Sequence, residues 1–339
     1  MSTFTRLQAE NFSAFESLDL SFSPGINVFI GKNGTGKTHV MKTLYAAGAI
    51  TGRLEGFIDK MIRIFLPYEY RIGRLVRRKR GSTTAKIVVS CNKEQLSLTF
   101  TNHSKNTPID ANEEKWKKLK IKCAYIPVKE MLANAPGFRS LYSERLVHFE
   151  EIYADIIDRA YLPPKRGPLE ENRANLLRKL ENVLEGKVVT EGETFFLKNN
   201  QGMLEFTLLA EGLRKLALLW LLIQNETLLK GSVLFWDEPE ANLNPQMVRV
   251  VVEILLELQR FGVQVFIATH DYVTLKEFEL QRTKEDKILF HSFFRKDDGE
   301  PVDISTSSDY SLIDENAIID KYLDLYDREV HKALGGEEV

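Results

Sequence analysis

The sequence predicts an α/β fold with a mostly parallel core sheet, an antiparallel β lobe and a helical insertion. Three observations carry this expectation. The apolar run Ile26–Ile30 leads into a glycine-rich loop and then a helix over His39–Ala47. SVLFWDEP and VQVFIATH are two further apolar runs, separated by the helical stretch PQMVRVVVEILLELQRFG. Buried strands that alternate with helices form parallel sheets, because a parallel crossover needs a dozen or more residues.

Along the chain, FTRLQAENF and LDLSFS alternate as short strands before the glycine loop. The character changes from residue 51. RIGRLVRRKRG reads as a basic, helix-like piece, and KIVVSCNKEQLSLTF as a hairpin turning at Asn92-Lys93. The charged KWKKLKIK precedes the strand CAYIP, and LYSERLVHFEEIYADIIDRAYL and NRANLLRKLENVLEG have amphipathic helical spacing. ETFFLKNNQGMLEFTLL is a second hairpin and LRKLALLWLLIQ a buried helix. Near the end, DENAIIDKYLDLYDREVHKAL predicts a helix stopped by Gly335-Gly336. The expected organisation is a discontinuous core over 1–50 and 205–300, an inserted lobe over 51–204 and a helical tail over 301–339.

Composition narrows the class. Of 339 residues 43% are hydrophobic and 28% charged, with a formal net charge of -2, which excludes a protein that coats nucleic acid by bulk charge. A local patch stays open: Arg71, Arg74, Arg77, Arg78, Lys79 and Arg80, with Lys115, Lys117, Lys118 and Lys120 around Trp116, suit either phosphate binding or a solvated face. Cys91 and Cys123 form no CxxC and read as buried thiols. No stretch approaches the roughly 18 apolar residues of a membrane span, and the N-terminus lacks a signal-like pattern, so a cytoplasmic protein with no membrane partner is expected.

The chemistry starts at Gly31-Lys32-Asn33-Gly34-Thr35-Gly36-Lys37-Thr38, which satisfies GxxxxGK(S/T) between a strand and a helix. Glycines let successive N–H groups turn toward phosphate oxygens, and the helix N-terminus adds positive potential. Lys37 is expected at the β- and γ-phosphates of ATP and the Thr38 hydroxyl on Mg²⁺. Val233-Leu234-Phe235-Trp236 followed by Asp237-Glu238 places two acids at the carboxyl end of a buried strand. Asp237 is the expected Mg²⁺ carboxylate and Glu238 the general base or water-orienting group. His270 ends the next apolar run, where an imidazole can contact a γ-phosphate or the attacking water.

With NGTGKT, WDEPEANLNP and ATHD in this order, the chain resembles the ABC-type ATPases of the RecF, SMC and OLD group, especially AAA15/AAA21-like members and the ATPase subunits of anti-phage systems such as Septu. The resemblance covers roughly residues 1 to 50 and 205 to 295. It implies a P-loop ABC-type head, dimeric or of higher order, with the P-loop of one chain facing the signature segment of another. Leu209-Ala210-Glu211-Gly212-Leu213-Arg214-Lys215 occupies the signature's place, with Ala210 where the family's serine stands. Backbone N–H groups near Gly212, or the cation of Arg214 or Lys215, are then the expected substitutes, and slow turnover follows. EANLNP stands where the D-loop does, and Lys129 or Glu130 where the family's γ-phosphate sensor does. Three functions fit: an ATPase controlling a separate effector, a nuclease or toxin, in anti-phage defence; a RecF-like DNA-repair ATPase; and a slow-turnover ATP-bound scaffold.

Overall fold

The computed structural model describes residues 3–165, 167, 170–297, 300–313 and 317–333. β1 (Phe4–Phe12) and β2 (Phe15–Ser21) alternate buried and exposed positions, the pattern of half-buried antiparallel strands. β3 (Ile26–Gly31) is buried throughout and precedes α1 (Lys37–Ala49) and α2 (Phe57–Phe65). β4 (Thr84–Cys91) and β5 (Glu94–Thr101) form the hairpin expected at Asn92-Lys93, with Asn92 in the left-handed region at φ 53. β6 (Asp110–Asn112), α3 (Glu114–Lys117), β7 (Cys123–Ile126), α4 (Phe138–Ser143), α5 (Glu151–Ala160) and α6 (Glu171–Leu184) follow. β8 (Lys187–Glu191), β9 (Thr194–Asn199) and β10 (Gly202–Glu205) make a small meander before α7 (Glu211–Gln224). Then come β11 (Val233–Asp237), α8 (Pro245–Arg260), β12 (Gln264–Thr269), α9 (Tyr272–Gln281), β13 (Ile288–Phe294), β14 (Asp303–Ser307) and α10 (Ala317–Ala333).

The core sheet runs β14-β13-β3-β12-β11-β7, parallel throughout except for β14 at its edge. Its central strands read as unbroken apolar runs because both faces are covered. Val28 and Ile30, Leu234 and Trp236, Val265 and Ile267 pack into one core, while Phe29, Phe235 and Phe266 pack into the other. The second core is shared with an antiparallel sheet, β2-β1-β4-β5-β6. Both sheets therefore cross the divisions expected at residues 50, 205 and 300: β4–β6 extend β1, β7 is a core edge, and β14 is the other. Local pattern does not encode which remote strand becomes the neighbour.

RIGRLVRRKRG is not a helix. Only Ile72–Leu75 makes a short 3-10 turn, after which Val76 bridges Phe12 and the Arg77 N–H donates to Asn11 O. Gly73 fits so tightly that a Cβ would stand 2.7 Å from Asn102 O, which pins the segment to the hairpin rather than to a helical path. The tail helix forms, but its expected stop at Gly335-Gly336 lies outside the described residues. No helix among the described residues is long and apolar enough to cross a membrane.

One buried polar cluster fastens α1, α2 and α5 together. Lys60, fully enclosed, donates to Asp155 Oδ2 at 2.6 Å and lies 3.2 Å from Glu151 Oε2. The Tyr45 hydroxyl donates to the same Asp155 oxygen at 2.7 Å. A buried ion is tolerated when it is paired and hydrogen-bonded, so this cluster ties the three helices to one another.

Candidate functional site

Three neighbouring parallel strands deliver the functional side chains to one end of the core sheet. The loop after β3 turns through left-handed glycines, with φ +139 at Gly31, +78 at Gly34 and +97 at Gly36. A Cβ on Gly36 would stand 2.6 Å from the Phe15 ring, whereas nothing lies within 4 Å of one on Gly34. Packing therefore demands Gly36, and Gly34 faces open space. α1 starts at Lys37, so its free N–H groups and positive end meet the loop. Lys37 Nζ bends back to donate to Gly31 O at 2.6 Å and Lys32 O at 3.0 Å. Burial lowers its pKa, opposed by the charges of Asp237, Glu238 and Glu240.

Asp237 closes β11. Thr38 Oγ1 donates to its Oδ1 at 3.3 Å and the Tyr125 hydroxyl to its Oδ2 at 3.1 Å. Burial pushes this carboxyl up, and those two hydrogen bonds pull it back down. Thr38 and Asp237 thus present two oxygens of the hard-cation kind side by side at the loop, a pair that fits the Mg²⁺ expected here, since that ion takes one or two protein oxygens plus phosphates. Glu238 follows in the left-handed region at φ 47, its N–H donating to Ala268 O at 2.9 Å. Its Oε1 lies 3.2 Å from His270 Nδ1. Thr38, Lys37, Asp237, Glu238, Asn33 and Gly34 line a cavity of about 220 Å³. A larger groove, about 930 Å³, lies between α2 and residues 142–149, but the residues expected at phosphate line the smaller one.

Ala210, Glu211 and Gly212 do not line that cavity. They form the start of α7, with Ala210 as an N-cap that makes no side-chain hydrogen bond. A Cβ on Gly212 would meet Leu243 Cδ2 at 2.7 Å and Asn242 O at 2.9 Å, so the helix start rests directly on the loop after Glu238. The cations beside them point inward, against the expectation that they replace the missing serine. Arg214 Nε sits 2.7 Å from Glu130 Oε2 and its Nη1 donates to Phe206 O and Leu209 O. Lys215 is fully buried and donates to Ala241 O at 2.8 Å. Glu130 is likewise held as a buried partner of Arg214, which leaves Lys129 exposed at that position. Asn244 accepts from Met247 N at 2.9 Å and caps α8 ahead of Pro245.

The basic run disperses. Trp116 is buried, its Nε1 donating to Ala47 O at 2.7 Å, so it offers no stacking face. Arg77 Nη1 donates to Ala14 O at 2.7 Å, Lys79 pairs with Glu16 and Lys117 with Glu113. Arg71 lies 3.6 Å from Glu69. Arg74, Arg78 and Arg80, with Lys115, Lys118 and Lys120, remain exposed. Sequence reasoning missed Tyr125, Thr269 and Glu240. The hydroxyl inside the buried strand CAYI, and a third acid after Asp237-Glu238, were the available signals.

The family described as AAA domain, putative AbiEii toxin, Type IV TA system matches residues 26–276. The DNA replication and repair protein RecF of Streptococcus suis is 30% identical over 104 residues, 31% of this chain and 28% of that protein. RecF of Klebsiella pneumoniae is 46% identical over 46 residues, 14% of this chain and 13% of its own. The chain thus spans less than a third of the curated relatives it matches. Among solved structures, the Smc head of Pyrococcus furiosus bound to the C-terminal domain of ScpA superposes with a TM-score of 0.52 at 11% identity, covering 97% of this chain and 99% of that one. An SmcHead bound to the C-winged helix domain of ScpA gives 0.54 at 12%, covering 91% and 98%. These superpositions show a shared fold.

Proposed function

This chain belongs to the AAA domain family described as putative AbiEii toxin, Type IV TA system, within the ABC-type ATPases of the RecF and SMC group, and from that membership we propose that it binds and hydrolyses ATP to control a separate effector. The observation that carries the ATPase reading is the convergence of Lys37, Thr38, Asp237, Glu238 and His270 at the ends of β3, β11 and β12. Loop N–H groups and Lys37 bind the β- and γ-phosphates; Thr38 and Asp237 hold Mg²⁺, which neutralises phosphate charge when bound. Glu238 takes the proton of, or orients, the attacking water, and His270, 3.2 Å from Glu238, senses the γ-phosphate. The start of α7, Ala210 to Gly212, faces the nucleotide of a second head, and head pairing is the nucleotide-dependent event.

The family's description supports a toxin-system role, and Smc heads of this fold that bind ScpA support a separate protein partner; the effector proposed on that footing is a nuclease or toxin acting in anti-phage defence. The test is native mass spectrometry of the chain purified from its source cells, as wild type and Glu238→Gln, with ATP–Mg²⁺ and with ADP. A second protein held or released according to nucleotide supports the reading. A nucleotide-indifferent assembly overturns it and favours a scaffold. The local similarity to RecF favours a second reading, ATP-dependent DNA binding. Arg74, Arg78 and Arg80 are its exposed cations, and their triple replacement by Glu should abolish salt-sensitive binding.

A further inference from the structure

His270 is half exposed, and its ring meets Glu238 at 3.2 Å. A ring so placed keeps its position only if the backbone beneath it is fixed. The fixing group lies on the facing loop. Thr269 Oγ1 donates to Glu240 Oε1 at 2.5 Å and accepts from the Asp271 N–H at 3.0 Å, so one hydroxyl bridges the residues on either side of His270. Asp271 Oδ2 in turn accepts from Thr274 N and Thr274 Oγ1, which locks the start of α9.

The loop bearing Glu240 is itself held from the opposite side. Lys215 donates to Ala241 O, Gly212 packs on Asn242 and Leu243, and the loop closes on itself through Ala241 N to Glu238 O and Leu243 N to Glu240 O. Glu238 and Glu240 therefore reach the end of β12 at two points, one through Ala268 O and His270, the other through Thr269. Resting on the ATPase reading above, we propose that Glu240 is a positioning residue for hydrolysis, whose contact with Thr269 sets the His270 imidazole against Glu238 and ties that pair to the start of α7.

The cost of placing a carboxyl here argues that stability is not its purpose. Glu240 Oε2 is closed from solvent and has no hydrogen-bond partner in another residue among the described ones, the carboxyl being met otherwise by Thr269 and its own backbone N–H, a situation that an apolar side chain would avoid. Burial pushes the carboxyl up to about 7, the Thr269 hydrogen bond pulls it down, Asp271 adds to the rise and His270 opposes it. Lys37 and Lys215 also feel its charge.

The test uses the full chain as Glu240→Ala, Glu240→Gln, Thr269→Val and the double variant Glu240→Ala/Thr269→Val, with steady-state ATP turnover and NMR of ¹⁵N-labelled histidine. Glu240→Ala and Thr269→Val should each lower kcat by about tenfold or more with KM within about twofold, and the double variant should be no worse than either, as a shared interaction requires. Glu240→Gln fills the same volume and keeps an oxygen toward Thr269, so its kcat should stay within about threefold of wild type. The His270 resonances should move in both single variants before nucleotide is added. Wild-type kcat and unmoved His270 resonances in Glu240→Ala, or multiplicative losses in the double variant, would overturn the proposal. If wild type itself shows no turnover, the ATPase reading falls, and the His270 resonances alone decide whether Glu240 places the ring.

Discussion

The Tyr125 hydroxyl donates to Asp237 Oδ2 at 3.1 Å while Thr38 Oγ1 donates to Oδ1 at 3.3 Å, so the two oxygens of one buried carboxylate are oriented by a strand, β7, and by a helix, α1. Tyr125 also stacks on Phe235 and meets Tyr45 edge-on. Tyr125→Phe keeps those ring contacts and removes one hydrogen bond to a charged group. The expected loss of folding stability is about 1–2 kcal/mol in denaturant titration. With Asp237 as the Mg²⁺ carboxylate and Lys37 as the phosphate group of the proposed function, the Mg²⁺ concentration for half-maximal ATP turnover should rise by roughly threefold or more while ATP binding is retained, because an outer partner of that carboxylate has been lost. An unchanged Mg²⁺ requirement would remove Tyr125 from this role.

At the start of α7, Ala210 has the extended conformation of an N-cap, φ -59 and ψ 141, without the side-chain oxygen that such positions favour. Ala210→Ser should supply that oxygen to a free N–H of the first turn and stabilise the protein by about 1 kcal/mol. If the family's serine hydroxyl also limits turnover here, kcat rises as well. A gain in melting temperature with kcat unchanged would confine the effect to the helix cap.

Acid should destabilise the fold through two histidines, the buried His291 and the partly buried His39. Burial holds His291 down at about 3 and, with help from Lys42, His39 at about 4, both below the ordinary value of 6.5. The unfolded chain then binds protons that the folded chain refuses, so stability is full above about pH 6.5 and is lost as pH falls toward 4 and 3. Between pH 7 and pH 5 each histidine contributes a loss of about 2 kcal/mol. Glu240 works in the opposite sense, since its raised carboxyl takes up a proton more readily in the folded state. Comparison by difference isolates one term: His291→Gln should lose about 2 kcal/mol less than wild type over that range in urea titrations at pH 7 and pH 5. Equal losses would show that His291 takes up its proton as readily in the folded chain as in the unfolded one.

Much of this site was legible because its geometry is written in short windows. A glycine loop between a strand and a helix, and Asp237-Glu238 and His270 at the ends of apolar runs, fix residue type and strand end together. What was illegible depends on remote pairing. Nothing local says that CAYI lies beside VLFWD, so the Tyr125–Asp237 hydrogen bond could not be read. Charge runs misled for a related reason: RRKR looks like one surface, yet Arg77 turns to Ala14 O beside the cavity while Arg78 and Arg80 face solvent. Arg214 and Lys215 likewise look like free cations until Glu130 and Ala241 O are brought to them by the fold.

Remote pairing also makes the cluster around Lys60 the most informative target for stability. Lys60 has no exposed side-chain surface, and Asp155 beside it has 14%. Lys60→Met preserves much of the volume but leaves Asp155, with Glu151 and the Tyr45 hydroxyl beside it, without its direct ion-pair partner and with Arg159 as a remaining nearby cation. Removal of one member of a buried pair costs about 3–5 kcal/mol, whereas replacement of the whole pair by neutral groups costs far less. Lys60→Met should therefore show a large drop in denaturation midpoint, and Asp155→Asn added to it should recover part of the loss. The consequence extends to nucleotide binding, because Tyr45 lies on the same helix that begins with Lys37 and Thr38. ATP affinity of Lys60→Met should fall along with its stability and recover in the double variant. Affinity that stayed at the wild-type level while stability collapsed would show that the P-loop end of α1 is held independently of this cluster.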